Sequence, residues 1–264
     1  MPKRYPPIAT KEFRRFVRII RRLRKDCPWD RKQTHRSLRD SLIEETYEVV
    51  EALDRTRTDH LCGELGDLLL NILLQATIAE QAGEFTLRDV FSDITRKLIR
   101  RHPHVFGSTK VAGAEEVKRN WDAIKLAEGR RSVLEGIPRH LPALQGAQKL
   151  QQRASRVGFD WEKSDDAWEK VREELEELRT TLLTANRRKR EEEFGDLLFA
   201  LVNYARFIGV HPEHALRSAN KKFTRRFHYI EKILRQRGKN PGQSSLAEMD
   251  ALWNEAKRPR RRRH

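Results

Sequence analysis

The sequence predicts an all-α protein built from two related helical domains in tandem. Its 264 residues are 38% hydrophobic but include only 13 glycines and 10 prolines, so a core is available and helix breakers are few. Apolar residues recur at helical spacing, and the second half repeats motifs of the first. A length near twice that of a typical domain fits two compact units.

Each predicted helix follows a stripe of apolar residues with a period near 3.6. The first helix starts at Thr10 and carries Phe13, Phe16 and Ile20 on one side, with arginines between them. After a turn at CPWDRKQT, Ser41 and Glu44 resemble a capping box that starts the second helix. The third helix is apolar on most faces, which predicts the most buried element or a subunit interface. It and the later helices are predicted over 60–82, 86–101, 114–128, 165–184, 189–208, 212–237 and 245–257.

An internal repeat divides the chain. At an offset of 129 residues, EETYE (44–48) falls on EELEE (173–177) and ELGDLLL (64–70) falls on EFGDLLF (193–199). Both spacings agree, so the sequence predicts a duplicated helical domain. The predicted organisation is a basic amphipathic helix (1–25) leading into the first domain (26–128), a Gly- and Pro-marked linker (129–146), the second domain (147–257) and a basic tail predicted to be disordered (258–264).

The positive charge is concentrated at the two ends. The net charge is +16, yet residues 1–25 hold ten Lys and Arg against one Glu, and residues 257–264 hold six more. The folded middle is therefore nearly neutral. Two interpretations stay open: the ends contact nucleic acid or anionic lipid through phosphates, or they only keep the protein in solution.

Composition also bears on the compartment. The mean hydropathy is −0.80 and no apolar run approaches 18 residues, so no membrane span is expected. The N-terminus lacks the pattern of a secretory signal, and Cys27 and Cys62 are too few for a disulfide framework. We expect a cytoplasmic protein.

The repeated blocks carry paired carboxylates. Glu45 and Glu48 are three residues apart on one predicted helix, and Glu64 and Asp67 are three apart on the next. If the two helices lie antiparallel, the four carboxylates meet and must take up protons or bind a cation. Oxygen ligands without Cys or His favour Mg²⁺ or Mn²⁺. The second copy offers the equivalent set, which is Glu174, Glu177, Glu193 and Asp196. The competing interpretation is a solvated acidic surface.

These residues resemble the MazG nucleoside triphosphate pyrophosphohydrolases, within the all-α NTP pyrophosphatase superfamily. The superfamily pattern EExxE followed by ExxD occurs twice, as EETYE with ELGD and as EELEE with EFGD. The phrases CPWD, RRHPHVF, IPRHLPAL, VGFDW and KFTRRF are also similar to two-domain members. The resemblance covers roughly residues 13–257 and leaves out only the basic ends.

The resemblance implies Mg²⁺-dependent hydrolysis of nucleoside triphosphates to the monophosphate and pyrophosphate. The implied catalytic and metal-binding residues are Glu174, Glu177, Glu193 and Asp196, with Glu45, Glu48, Glu64 and Asp67 as a second, weaker set. The implied nucleotide-binding residues are Lys170, Lys189, Glu192, Lys222, Arg226 and Trp253. For Trp253, core packing is an equally good interpretation. A homodimer that completes the helical bundles is also expected.

The two copies are not equivalent in charge. The positions that match Lys170 and Lys189 in the first copy are Ser41 and His60. The second copy therefore has more positive charge to hold a triphosphate, and we expect it to be the main catalyst of a broad, pool-cleaning activity.

Two other functions remain open at this point. One is a non-enzymatic helical module that binds nucleic acid through its basic ends. The other is a narrow enzyme for dUTP, dCTP or a phosphoribosyl nucleotide, since the motifs do not determine base selectivity.

Overall fold

The computed structural model describes residues 9–54, 58–129, 131–183 and 186–257. These residues form α-helices and one 3₁₀ helix (Pro241–Gln243) and contain no β-strand, so the all-α prediction is confirmed. The helices are α1 (Thr10–Asp26), α2 (Pro28–Lys32), α3 (Arg39–Asp54), α4 (Thr58–Ala82), α5 (Leu87–Arg101), α6 (Pro103–Phe106), α7 (Ala114–Ala127), α8 (Ala143–Ser155), α9 (Ser164–Thr181), α10 (Arg187–Phe207), α11 (Pro212–Gln236) and α12 (Leu246–Lys257).

The chain divides into two compact units, Met1–Val117 and Lys118–His264. Each unit contains a helical hairpin, α3 with α4 in the first and α9 with α10 in the second. In each unit an earlier helix packs on the second arm of the hairpin, α1 on α4 and α8 on α10. The duplicated motifs thus lie on duplicated hairpins. The domain limits drawn from the sequence stay a prediction, and the predicted tail (258–264) lies outside the described residues.

The core of the first unit lies between α1 and α4. Ile20 of α1 is fully buried and packs with Leu73, Leu74 and Ile78 of α4. The buried Arg24 guanidinium donates to Gln81 Oε1 at 2.7 Å and to the Gln33 carbonyl at 2.9 Å, which satisfies a charge that would be costly if unpaired. The apolar stripe of α1 therefore faces inward.

Helix α4 is long and apolar enough to cross a membrane on length and composition alone. No stretch of 18 residues in it is wholly apolar, because Glu64 and Asp67 interrupt the sequence. The mean hydropathy over 18 residues is nevertheless as high as in membrane-spanning helices. Its buried leucines belong to the core shared with α1, and the core helix of a soluble protein passes the same test. One such helix is weak evidence for a span.

The second unit has two packed regions. Ala167 and Val171 of α9 and Ala200 of α10 are buried where the hairpin arms are close together. Ile230 and Leu234 of α11 form a second cluster with α12. Small residues at the hairpin contact let the α9 and α10 backbones approach, which brings their acidic residues together.

Helix starts follow local capping chemistry, and one predicted start is wrong. Helix α3 begins at Arg39, so Ser41 lies inside the first turn and does not cap it. A true capping box occurs at α5, where the Thr86 hydroxyl accepts from the Asp89 N–H and the Asp89 carboxylate accepts from the Thr86 N–H at 2.8 Å. Gly83, with φ of 72°, allows the turn that ends α4.

The sequence missed three helices, α2, α6 and α8. Helices α2 and α6 have five and four residues, too few for a period to show. Helix α8 begins inside the predicted linker, and two of its buried residues are Gln148 and Gln151. Because the inward positions of α8 are polar, its sequence shows no strong apolar stripe.

Candidate metal and nucleotide site

A cluster of three carboxylates lies on the α9–α10 hairpin. Glu174 and Glu177 are nearly one turn apart on α9, and Glu193 is in the second turn of α10. One carboxylate oxygen of each lies within 4.8 Å of the others. Glu174 is only 6% exposed, Glu193 is half-buried and Glu177 is exposed. The predicted meeting of charges across the hairpin therefore occurs for these three residues.

Three ionised carboxylates this close together repel one another. Removal from water raises the pKa of Glu193 above its ordinary value, and the nearby Glu177 carboxylate raises it further. The charge of Lys189 acts in the opposite direction, which places this predicted residue near the cluster. Such a site favours uptake of a positive charge.

Lys170 supplies part of that charge. Its ammonium group lies 2.7 Å from Glu173 Oε1 and 2.9 Å from Glu174 Oε1. Hydrogen bonds to Glu173 and then Glu174 hold the pKa of Lys170 well above its ordinary value. Glu173 was not singled out from the sequence. Its position directly before Glu174 in EELEE was the only available signal.

Asp196 lies outside the tight group. It is exposed, but it lines the same cavity as Glu174 and Lys170, which has a volume of about 630 Å³. Most of the other lining is apolar or aromatic, including Phe159 and Trp161. Asp196 is therefore near the cluster at the mouth of a cavity, although the trio forms without it.

Buried polar groups also line this cavity. Gln151 is 8% exposed, its Nε2 donates to the Phe199 carbonyl at 2.8 Å, and its buried Oε1 has no hydrogen-bond partner in the described protein. Asn203 Oδ1 accepts from the Arg206 guanidinium at 2.9 Å. These bonds fix both amides, so Gln151 offers an acceptor oxygen and Asn203 keeps its amide N–H groups for another partner.

The loop between α8 and α9 is tied to the same wall. The guanidinium of Arg206 binds both carboxylate oxygens of Asp160, one of them at 2.8 Å. A two-pronged pair of this kind fixes orientation. It holds the loop that carries Phe159 and Trp161 at the cavity. The sequence analysis used VGFDW only as a resemblance and did not detect this pairing.

The first unit repeats the trio without the cation. Oxygens of Glu45, Glu48 and Glu64 also lie within 4.8 Å of one another. Burial, then the charges of Glu48 and Asp67, raise the pKa of Glu45. No Lys or Arg pairs with this trio among the described residues. The position that matches Lys170 is Ser41, as the sequence comparison predicted.

The other predicted nucleotide-binding residues lie away from the trio's ion pairs, on α11, α12 and the exposed side of α10. The Arg226 guanidinium lies 5.3 Å from the centre of the Trp253 ring, and Phe223 packs 5.2 Å from the same ring. Trp253 also lies against the buried cluster of α11 and α12. Glu192 pairs with Arg188 at 3.2 Å on the exposed side of α10. Among the described residues, neither Lys222 nor Arg226 pairs with a carboxylate of the trio.

Comparison with known proteins identifies the family. A sequence model of the MazG nucleotide pyrophosphohydrolase domain matches residues 33–106. The nucleoside triphosphate pyrophosphohydrolase/pyrophosphatase MazG of Thermotoga maritima is 43% identical over 93% of this chain and 95% of its own length. The chain belongs to the MazG family. It is therefore a hydrolase of phosphoric anhydride bonds, and the resemblance seen in the motifs is confirmed.

Other relatives match the chain over different shares of their own length. The nucleoside triphosphate pyrophosphohydrolase of Escherichia coli K12 is 43% identical over 92% of the chain and 96% of its own length. The uncharacterized protein YabN of Bacillus subtilis is 49% identical over 97% of the chain, and the chain spans 55% of YabN. A crystal structure of a mazG-related protein from Thermotoga maritima is 30% identical, covers 43% of this chain and 98% of its own, and has a TM-score of 0.39.

Proposed function

We propose that this protein hydrolyses nucleoside triphosphates to the monophosphate and pyrophosphate, mainly in the second unit. The proposal depends on one observation: Glu174 belongs both to the carboxylate trio and to the wall of a 630 Å³ cavity. A phosphate chain at the trio would therefore place its nucleoside at the cavity. The relatives from Thermotoga maritima and Escherichia coli carry this activity in their names.

The trio fits a divalent metal ion. Its donors are carboxylate oxygens only, and burial, followed by the charge of Glu177, raises the pKa of Glu193, so a cation there would be favourable. Mg²⁺ is the expected ion and Mn²⁺ the second candidate, since hard oxygen donors suit both. When bound, the ion would neutralise phosphate charge and polarise the reacting phosphorus centre. Glu174, Glu177 and Glu193 would hold it, with Asp196 at the cavity mouth as the fourth proposed ligand.

Lys170 then has a defined role. Without substrate its ammonium is shared between Glu173 and Glu174. A triphosphate is a stronger competitor for this cation than one carboxylate, and Lys170 would move to it and stabilise its negative charge. Lys189 would add a second cation from α10. Lys222, Arg226 and Trp253 stay proposed nucleotide contacts.

The cavity is large enough for a nucleoside. Its volume lies within the range of small-molecule sites, and its walls combine aromatic rings with a few fixed polar groups. Gln151 Oε1 would accept an N–H from the base, which removes the cost of a buried unpaired oxygen. Every common base offers such a donor, so the arrangement agrees with broad, pool-cleaning specificity. We place this activity in the cytoplasm.

A homodimer is part of the proposal. Leu65, Leu69 and Ile72 of α4 are large, apolar and exposed. The residues at the same repeat positions in α10 are Phe194, Leu198 and Leu201, which are exposed as well. Burying such a face against a second copy is favourable at about 25 cal/mol per Å². The repetition of one exposed stripe in both units supports subunit association through it.

A product assay tests the proposed reaction. The purified full chain is incubated with each common NTP and dNTP, in Mg²⁺, in Mn²⁺ or in excess EDTA, and the products are separated by ion exchange. We expect monophosphate and pyrophosphate in equal amounts with either metal and none in EDTA. Release of diphosphate and inorganic phosphate would contradict the proposed bond cleavage, and turnover of one nucleotide alone would favour the narrow enzyme.

A further inference from the structure

The outer face of α1 presents a continuous row of cations. Helical spacing of about 100° per residue places six side chains within roughly 100° of the helix circumference. They are Lys11, Arg14, Arg15, Arg18, Arg22 and Lys25, and all are exposed. With a rise of about 1.5 Å per residue the row is about 21 Å long. We call these six residues the basic stripe.

The stripe is poorly neutralised by the protein itself. Of the six residues, only Arg22 forms an ion pair within the described part of the chain, with Asp26 at 3.2 Å. Arg21 and Arg24 lie outside the stripe and are occupied by Glu80 and Gln81. The other five are exposed and pair with no carboxylate among the residues that the structure describes, which raises the local positive potential.

The stripe is not needed to fold α1. The second unit provides a comparison, because α8 packs on α10 as α1 packs on α4. Helix α8 contains only two basic residues, Lys149 and Arg153. A helix in this position can thus do its packing without a cationic outer face. The row of like charges on α1 costs stability through repulsion, so its presence requires another explanation.

The orientation of α1 decides between two polyanionic partners. An amphipathic helix that binds a lipid surface inserts its apolar face among the acyl chains. In this protein that face, including Phe16 and Ile20, is packed in the core with α4. The outside of α1 offers the cations and, beside them, the partly exposed side chains of Ile19 and Leu23, which are too small an apolar face to anchor the helix among acyl chains. Contact through phosphates alone is how proteins bind nucleic acid without sequence preference.

We propose that the basic stripe of α1 binds the phosphate backbone of nucleic acid, independently of base sequence. A duplex carries about one phosphate per 1.7 Å of axis, so a row of about 21 Å meets enough phosphates for each of its cations. The proposal does not depend on the hydrolase activity. It would hold the hydrolase close to nucleic acid.

Binding is measured by fluorescence anisotropy with the full chain and labelled DNA or RNA duplexes of about two helical turns, at salt from about 50 to about 200 mM. The test variant carries Arg14→Gln, Arg15→Gln and Arg18→Gln, since Gln keeps helix propensity. We expect affinity at the lowest salt to fall by at least about tenfold. The slope of log K against log salt should become shallower by about 2.7, or about 0.9 per lost contact.

Two further variants keep the result interpretable. Changing Arg14, Arg15 and Arg18 to Lys keeps the charge and should keep binding. Replacing Lys110, Lys232 and Arg235 by Gln removes the same charge from exposed positions elsewhere and should change affinity by less than about twofold. NTP hydrolysis should match the parent protein in all three variants, because none of the substituted residues belongs to the carboxylate trios. The thermal midpoint of the triple Gln variant should equal or exceed that of the parent, since like-charge repulsion along α1 is reduced.

Three outcomes would overturn the proposal. The first is that the parent protein binds neither duplex at the lowest salt. The second is that the triple Gln variant binds as well as the parent. The third is that binding occurs only to vesicles containing an anionic phospholipid and not to either duplex, which would assign the stripe to a membrane surface. A difference between DNA and RNA would identify which phosphate backbone is preferred.

Discussion

The ammonium group of Lys170 lies 2.9 Å from the buried carboxylate of Glu174, one turn further along α9. Glu174 is the least exposed member of the trio and also lines the cavity. In the proposed reaction, the Lys170 ammonium would pass from the Glu174 carboxylate to a substrate phosphate. The first unit has Ser41 at the corresponding position, so its trio lacks this cation.

The first prediction concerns Lys170. Replacing it by Met keeps much of the side-chain volume and removes the charge. We expect kcat/KM for a nucleoside triphosphate to fall by roughly 10²-fold, the usual effect of losing one preorganised charge-stabilising donor. Arg172→Met is the matched control, since Arg172 pairs with Glu169 at 3.0 Å on the exposed side of the same helix. An equal loss from both variants would count against a role for Lys170 at the phosphates.

The second prediction separates the two units. Glu193→Gln should lower NTP hydrolysis by on the order of 10²-fold, whereas Glu64→Gln, its repeat equivalent, should leave most of it. The pKa of the Glu193 carboxyl group is raised by burial and by Glu177, so its charged form is unfavourable in the fold. Without metal, the thermal midpoint of Glu193→Gln should therefore equal or exceed that of the parent. Steady-state rates and thermal denaturation of both variants check this. Equal losses of activity from the two variants, or a loss from Glu64→Gln alone, would contradict the assignment of catalysis mainly to the second unit.

The third prediction concerns Gln151 and the nucleoside. Gln151→Met keeps the volume but removes the buried acceptor oxygen. We expect KM for nucleoside triphosphates to increase by about tenfold, as for a lost hydrogen bond, with little change for inorganic tripolyphosphate, which has no base. Gln148→Met is the control, because Gln148 is equally buried on α8 but contacts His211 at 3.4 Å. A similar increase for tripolyphosphate would mean that Gln151 does not contact the nucleoside.

The sequence was sufficient to predict which carboxylates lie together where local spacing along one helix decides it. Glu174 and Glu177 share a helix face because they are three residues apart, and the expectation that the two helices lie antiparallel placed Glu193 opposite them. Asp196 shows the limit of this reasoning. It is also three residues from Glu193, but the packing of α9 against α10 places it at the cavity mouth, outside the trio. Packing of that kind has no signature in a helical period.

The cavity itself was beyond sequence reasoning for a related reason. Asp160 and Arg206 are 46 residues apart, and nothing in either local pattern indicates that they pair. Gln151 lies on a helix whose inward positions are polar, which conceals the amphipathic period. Such polar contacts depend on the final packing of three helices, whereas the carboxylate pairs depend mostly on one helix each.

The last prediction concerns pH and the start of α5. Its capping box lowers the pKa of Asp89 below the ordinary value of 3.8, first through the Thr86 side chain and then through the Thr86 backbone. A carboxyl group with a lowered folded-state pKa stabilises the fold above pH 3.8, and this contribution is lost as pH falls through the lowered value. Asp89→Asn should therefore lower the thermal midpoint at pH 7, and the difference from the parent should shrink as the pH falls below 3.8. Thr86→Ala should cost about 2–4 °C at pH 7. Asp93→Asn removes a charge from α5 without touching the cap, so a pH-dependent loss of the same size there would show that the effect comes from helix charge and not from the capping box.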